Sequence, residues 1–285
     1  METTLSVRLL DHTPDPLRTM YVAFRTCYSS LTPQQIWDRI EEGKISREKM
    51  TSFILEKLQT GHASPRQQIW FTFAVSGIDR SCSHQLVRHH VGITFDQQSQ
   101  RYVTYKDGAY PYIVPDTWRR AGLAEDLEQS FRDTGSLYNK AVEAGIPGED
   151  ARCVLPNATS TNLVFTVNFE EILHIADQRL CWRSQWQIRR FWAKVRGELM
   201  QRFPELAVLV QPKCGEHRLG YCDEEPKEWA RCPLGKVRPH KKQILEYLKS
   251  QGKASAITEE NLQKAVENRG DEASPEETLS AVSSQ

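Results

Sequence analysis

The sequence predicts one large body, or two small ones, that mixes helices with a few buried strands and carries neither a Rossmann nor a P-loop nucleotide site. Three observations predict this. A chain of 285 residues with 39% hydrophobic residues is long enough to bury a core without a disulfide scaffold. Apolar residues recur at helical spacing over most of the chain, and only short runs rich in aromatic and β-branched residues read as strands. No GxGxxG and no GxxxxGK[ST] occurs, and GxSxG and HExxH are also missing.

Residues 4–10 alternate loosely and read as a strand. Leu17 to Tyr28 carries apolar residues at helical spacing after Pro14 and Pro16. Ser46, followed by Met50, Phe53, Ile54 and Leu58, predicts a capped helix ending at Gly61. Gln68 to Val75 predicts a buried strand. Asp79 to His90 predicts a helix, with Asp79 as N-cap and Gly92 near the C-cap. Phe95 to Tyr102 fits neither period. Trp118 to Ala144 reads as mostly helical, Thr161 to Val167 as a strand, and Phe169 to Cys181 and Gln185 to Arg202 as helices. An irregular segment with Cys214, Cys222 and Cys232 follows Pro204. From about Ser250 the composition predicts one exposed helix, Thr258 to Asn268, in an otherwise disordered tail. The expected division is a main domain over 1–235 and a C-terminal helix and tail over 236–285.

Charge and cysteine usage narrow the function. Lys plus Arg is 37 and Asp plus Glu is 37, and this balance argues against a general nucleic-acid coat. The longest apolar stretch runs roughly from Ile69 to Val75, far short of the about 20 residues that span a bilayer. The N-terminus has Glu2 and no apolar run, so no signal peptide is read. Seven irregularly spaced Cys without a secretory signal predict a reducing, cytoplasmic setting with free thiols or a metal.

Three clusters can carry chemistry. The first is His84-Gln85-Leu86-Val87-Arg88-His89-His90 with the polar run Asp96 to Tyr102. Cations in a last helical turn complement the helix dipole, which is the plain structural account. The polar run, however, offers amide, hydroxyl and guanidinium groups suited to a planar base and an anion. The second is the helix from Asn168 to Arg179, where Ile172, Ile175 and Arg179 fall on one line. A guanidinium that extends an apolar face needs a partner, either an acid such as Asp177 or Glu171, or an anionic ligand. Arg152, amid apolar residues, poses the same choice. Between Arg179 and Arg196 lie six basic residues with Trp182, Trp186 and Trp192. That pattern suits RNA, or more plainly an amphipathic helix with Trp in the core and Arg outside. The third cluster, Cys214, His217, Cys222 and Cys232, is a candidate tetrahedral zinc set, with free thiols as the plainer reading.

These residues resemble the flavin-dependent thymidylate synthases. The resemblance runs through GHASPRQQIWFTF (61–73), SHQLVRHH (83–90), DQQSQRYV (96–103), ARCVLP (151–156), TVNFEEILHIADQR (166–179) and SQWQIRR (184–190), in family order, and covers about 60–235. It implies an α+β, non-Rossmann fold with a central, mostly antiparallel sheet flanked by long helices. It implies a homotetramer with active sites between subunits, in which FAD, methylenetetrahydrofolate and NADPH together turn dUMP into dTMP. By motif position, Ser64, Arg88, His89, His90, Gln97, Asn168 and His174 match flavin-site positions, with His62 close by. Gln85, Arg88, Gln97, Ser99, Gln100, Arg101, Arg152 and Arg179 match the dUMP site, and Arg179 matches the arginine that ionises or polarises the uracil ring. FAD supplies the hydride, so none of Cys82, Cys153 or Cys181 need be a nucleophile. The sequence departs from the family in four ways. His90 replaces the signature's second Arg, the signature is one residue longer, Gln67 and Gln97 stand where many members have Glu, and Glu170 stands where a basic residue is common. The alternatives are a flavin-dependent pyrimidine methylase on RNA or another nucleotide, for which the basic Trp-bearing helix speaks, and a catalytically dead nucleotide- or RNA-binding paralogue, for which His90 and the inserted residue speak.

Overall fold

The structure is a computed structural model that describes residues 1–58, 61–253 and 258–267. Four strands form one antiparallel sheet in the order β1-β2-β4-β3: β1 Ser6–His12, β2 Trp70–Asp79, β3 Ile93–Gln97 and β4 Ser160–Asn168. The expected antiparallel sheet is therefore present, and it contains the three strands expected from the sequence. β3 is the addition. It is an edge strand paired only to β4, and its alternate residues Thr94 and Asp96 are exposed, so no apolar run marks it.

The helices are α1 Pro16–Thr26, α2 Pro33–Glu41, α3 Arg47–Leu58, α4 Arg80–Leu86, α5 Asp116–Arg120, α6 Ala124–Glu143, α7 Gly148–Ala151, α8 Phe169–Arg179, α9 Trp186–Arg202, α10 Pro204–Ala207, α11 Pro226–Arg231, α12 Lys241–Ser250 and α13 Glu259–Glu267. The expected tail helix is α13; the rest of the expected disordered tail lies outside the described residues. Phe71 and Phe73 on β2 and Leu163, Phe165 and Val167 on β4 meet Phe191, Trp192 and Val195 of α9 in one core, which α1 and α3 complete with Leu17, Met20, Phe24 and Ile54. Burial on this scale follows from area removed from water, about 25 cal/mol per Å².

Two junctions position the site. β2 runs into α4 at Asp79, whose carboxylate accepts the Cys82 amide at 2.7 Å as N-cap, while the Asp79 amide donates to Oε1 of the buried Gln187 at 3.1 Å. β4 runs into α8 at Asn168, whose Oδ1 accepts the Glu171 amide at 2.8 Å and whose own amide donates to the Gly92 carbonyl at 2.8 Å. α4 stops at Leu86, four residues before the expected end. Gly92, expected near a helix C-cap, instead takes φ +71° against the Asn168 side chain. A Cβ there would lie 2.3 Å from Asn168 Nδ2, so only glycine fits.

Candidate functional site

Because α4 ends early, Arg88, His89 and His90 sit in the turn beyond it and do not act as last-turn helix cations. The turn directs His89 inward and leaves Arg88 and His90 exposed. Arg179, at the end of α8, donates from Nε to His89 Nε2 at 3.0 Å and from one terminal nitrogen to the Gln85 carbonyl at 3.2 Å. The acids expected as possible partners are engaged elsewhere: Asp177 pairs with Arg218, and Glu171 Oε1 lies 3.6 Å from His89 Nδ1. Among the described residues, Arg179 forms no ion pair with a carboxylate. Burial pushes its pKa down, yet a guanidinium stays charged.

That cation fixes the state of His89. Burial first, then the positive charge of Arg179, holds its imidazole down at about 4, so it is neutral at pH 7. Nε2 accepts from Arg179, so the proton belongs on Nδ1, facing Glu171. The sign of the stability effect follows. The unfolded chain takes up this proton near pH 6.5 and the folded chain only near 4, so the contribution is full above pH 6.5 and is lost as pH falls to about 4. Its size is up to about 3 kcal/mol. Burial raises the pKa of Glu171, which offsets part of it. Urea melts at pH 7 and pH 5 check this: the acid-side loss is expected to shrink in His89→Gln, and an unchanged loss would contradict the assignment.

His89, Glu171 and His174 place one ligand atom each within 4.8 Å of one another, a spacing a divalent ion accepts. Arg179, bonded to the same imidazole, opposes a second cation there. The rings of His89 and His174 pack edge to face with centroids 6.0 Å apart, and His174 Nε2 meets Gln178 at 3.0 Å. Arg88, His90 and His174 are exposed around buried Asn168 and His89, a donor set that suits an anionic diphosphate and the polar edge of a flavin ring.

His62 and Ser64 form a second group. Ser64 Oγ lies 3.3 Å from His62 Nε2, and His62 Nδ1 meets the Tyr28 hydroxyl at 3.0 Å. Two residues on, the buried Arg66 pairs with Glu170 in the first turn of α8. That ion pair accounts for the acid at position 170.

The third group holds Gln97, Ser99, Gln100, Arg101 and Arg152. Gln97 Nε2 donates to Thr161 Oγ1 at 3.1 Å, and Ser99 Oγ accepts the Arg101 amide at 3.1 Å. Arg101 Nε donates to the Glu149 carboxylate at 2.7 Å, and Arg152 Nε donates to the Glu149 carbonyl at 3.0 Å. One residue thus orients both guanidinium groups. Gln100 bonds Tyr105, and half-buried Arg80, the first residue of α4, lies near Tyr105 and the Arg152 guanidinium. Glu149 and Arg80 escape a sequence reading, since neither sits in a patterned run. The cavity that takes in Gln85 and Arg179 does not take in Arg101 or Arg152.

Residues 8–205 match the family described as thymidylate synthase complementing protein. A flavin-dependent thymidylate synthase of Nitratidesulfovibrio vulgaris is 41% identical over 82% of this chain and 97% of its own length. The chain belongs to the flavin-dependent thymidylate synthase family. A flavin-dependent thymidylate synthase of Pyrococcus horikoshii is 33% identical over 85% of the chain and 99% of its own length. The fold is that of a UMP/dUMP methylase, PolB of Streptomyces cacaoi, solved with 5-Br dUMP, with TM-score 0.62 and 18% identity over 73% of this chain and 94% of that one.

Within this thymidylate synthase fold the plainer reading of the basic, Trp-bearing helix holds for Trp192 alone; Trp182 is exposed before the helix begins and Trp186 is half-buried at its start. Trp192 is buried in the core, Arg189 stacks 4.7 Å from Trp182 and bonds its carbonyl, Arg190 pairs with Asp116, and Arg183 with Glu224. These cations have partners within the chain, which removes the main support for an RNA surface. Among the described residues, no helix is long and apolar enough to cross a membrane.

Cys82 is fully buried, and burial raises its pKa far above the ordinary thiol value, which disfavours the thiolate a nucleophile needs. Of the zinc candidates, Cys214, Cys222 and Cys232 line one cavity, whereas His217 lines a different one beside Arg66 and Arg218.

Proposed function

We propose that the chain methylates dUMP to dTMP, with FAD as cofactor and methylenetetrahydrofolate and NADPH as co-substrates, as a cytoplasmic homotetramer. The observation that carries this is Arg179: a half-buried guanidinium on a cavity wall, oriented by a neutral imidazole and a carbonyl, with no carboxylate partner among the described residues. Two of its five N–H groups are used by His89 and Gln85, which leaves three for a ligand. A uracil ring presents carbonyl oxygen acceptors, with N3 an acceptor only once it loses its proton; this edge gains negative charge as C5 becomes nucleophilic, and a guanidinium that keeps its proton stabilises that charge.

Arg88, His89, His90, Asn168 and His174 would hold FAD, together with His62 and Ser64. Bound FAD supplies hydride chemistry. The chain's own residues bind and orient. His89 fixes the plane of Arg179, and Arg101 and Arg152, set by Glu149, meet the nucleotide phosphate through charge-assisted bonds. Arg179 and the Arg101–Arg152 pair border separate parts of one chain's surface, which supports a site completed by a second copy.

Arg101→Ala and Arg152→Ala are each expected to raise KM for dUMP about tenfold to a hundredfold with kcat little changed, the size of one lost charged hydrogen bond. Steady-state kinetics checks this; a fall confined to kcat would remove them from the phosphate. The overall reading is tested by chromatographic detection of dTMP in complete mixtures and in mixtures lacking FAD, NADPH or the folate, with UMP run in parallel. Product from dUMP only in the complete mixture is expected. Methylation of UMP alone, or none by folded, flavin-loaded protein, would overturn it.

A further inference from the structure

We infer that Cys181, Cys214, Cys222 and Cys232 hold a [4Fe–4S] cluster that staples the segment after Val210 to the end of α8. The four thiols converge from four stretches of chain on one enclosed cavity, whose remaining wall is largely apolar and includes Leu180, Trp182, Trp229 and Leu234. Each stretch is held by backbone bonds. Cys181 follows α8 by two residues, and its carbonyl accepts the Ser184 amide. Cys214 sits in a turn closed by Gly215 N–H to the Pro212 carbonyl. Cys222 is bonded on both sides, to Pro239 and Lys241. Cys232 caps α11, its amide donating to the Glu228 carbonyl.

Three further observations point to a metal group. No described residue beyond Val210 belongs to either hydrophobic cluster, yet the chain from Gln211 to Ser250 is folded through turns, two helices and a bridge between Cys222 and His240. A segment too small for a core of its own needs another staple, and the seven cysteines are free thiols. Cations lie close to the thiols: Lys213 adjoins Cys214, and Lys213 and Arg183 neutralise the Glu224 carboxylate that faces the Cys181 thiol on the same cavity wall. The spacing argues against a single ion. A single zinc ion, with bonds of about 2.3 Å, holds its thiolates about 3.8 Å apart. Among the described residues, no three of these thiols come within 4.8 Å of one another. A cubane holds its thiolates farther apart, because each binds a different iron at a different corner. The cluster also fixes Cys181, which lines the same cavity as Arg179 and Gln85.

Chemical analysis of the full chain, purified without oxygen and reconstituted anaerobically with equal ferrous and ferric iron and sulfide, tests this independently of catalysis and of bound flavin. About four iron and four sulfide per chain are expected. Cys222→Ala and Cys232→Ala are each expected to lose most of both, whereas Cys153→Ala, an exposed thiol outside the cavity, keeps them. Folded wild-type protein with neither iron nor sulfide, or with about one tightly held zinc per chain in their place, would overturn the assignment.

Discussion

Arg179→Ala is expected to lower kcat by about 10²–10³ while KM for dUMP changes much less. The expectation comes from where charge develops. Ground-state uracil is neutral, so the guanidinium acts mainly when the ring becomes anionic, and removal of one preorganised donor to a developing oxyanion costs about 2.7–4 kcal/mol. Arg179→Lys is not expected to rescue the rate. An ammonium cannot both hold His89 Nε2 and the Gln85 carbonyl and present a planar fork. Steady-state kinetics on the same preparation as a thermal melt checks this. A folded, flavin-loaded Arg179→Ala protein with near-normal kcat would remove the residue from the chemistry, and a collapse in melting temperature would make it structural.

Gly92→Ala is expected to lose about 2–4 kcal/mol of stability. Left-handed φ costs an L-residue about 1–2 kcal/mol. The new Cβ would also lie 2.3 Å from Asn168 Nδ2, so the Asn168 side chain must move away from the Glu171 amide. Loss of an N-cap costs about 0.5–2 kcal/mol more. Gly122→Ala separates the two effects, because Gly122 has φ +73° with nothing within 4 Å of its Cβ position. Calorimetric melts are expected to show Gly92→Ala falling well below Gly122→Ala, with weaker FAD binding only in the former. Equal melts would mean that Asn168 yields without cost.

The sequence shows elements where local chemistry and burial agree. α8 is marked by its Asn168 cap and by Ile172 and Ile175, and β2 by its aromatic run. α2 was not read from the sequence: its single buried residue, Ile36, leaves no apolar period, although Thr32 and Gln35 form a capping box in the structure. α4 was read too long because Arg88, His89 and His90 are compatible with a helix; what ends it is tertiary, the pull of His89 toward Arg179 and the fit of Gly92 against Asn168. The candidate site was legible wherever a residue stands in a motif, as the mutually bonded Gln85, His89 and Arg179 do. Glu149 is far in sequence from the Arg101 it orients, and nothing local marks it. Cys181 was separated from the later cysteines for the same reason: the cavity brings them together, whereas sequence proximity favoured His217.

Tritium release from dUMP labelled at C5 tests the central claim most directly, since the proton at C5 must leave when a methyl group is installed there. The wild-type chain, loaded with FAD and supplied with NADPH and methylenetetrahydrofolate, is expected to release tritium to water in step with dTMP formed, and Cys82→Ala and Cys153→Ala are expected to do so within a few-fold of it. No release from folded, flavin-loaded wild-type protein, or a loss of more than about a hundredfold (about 2.7 kcal/mol of barrier) in either cysteine variant with flavin still bound, would contradict a methylation that runs through Arg179 without a protein thiol.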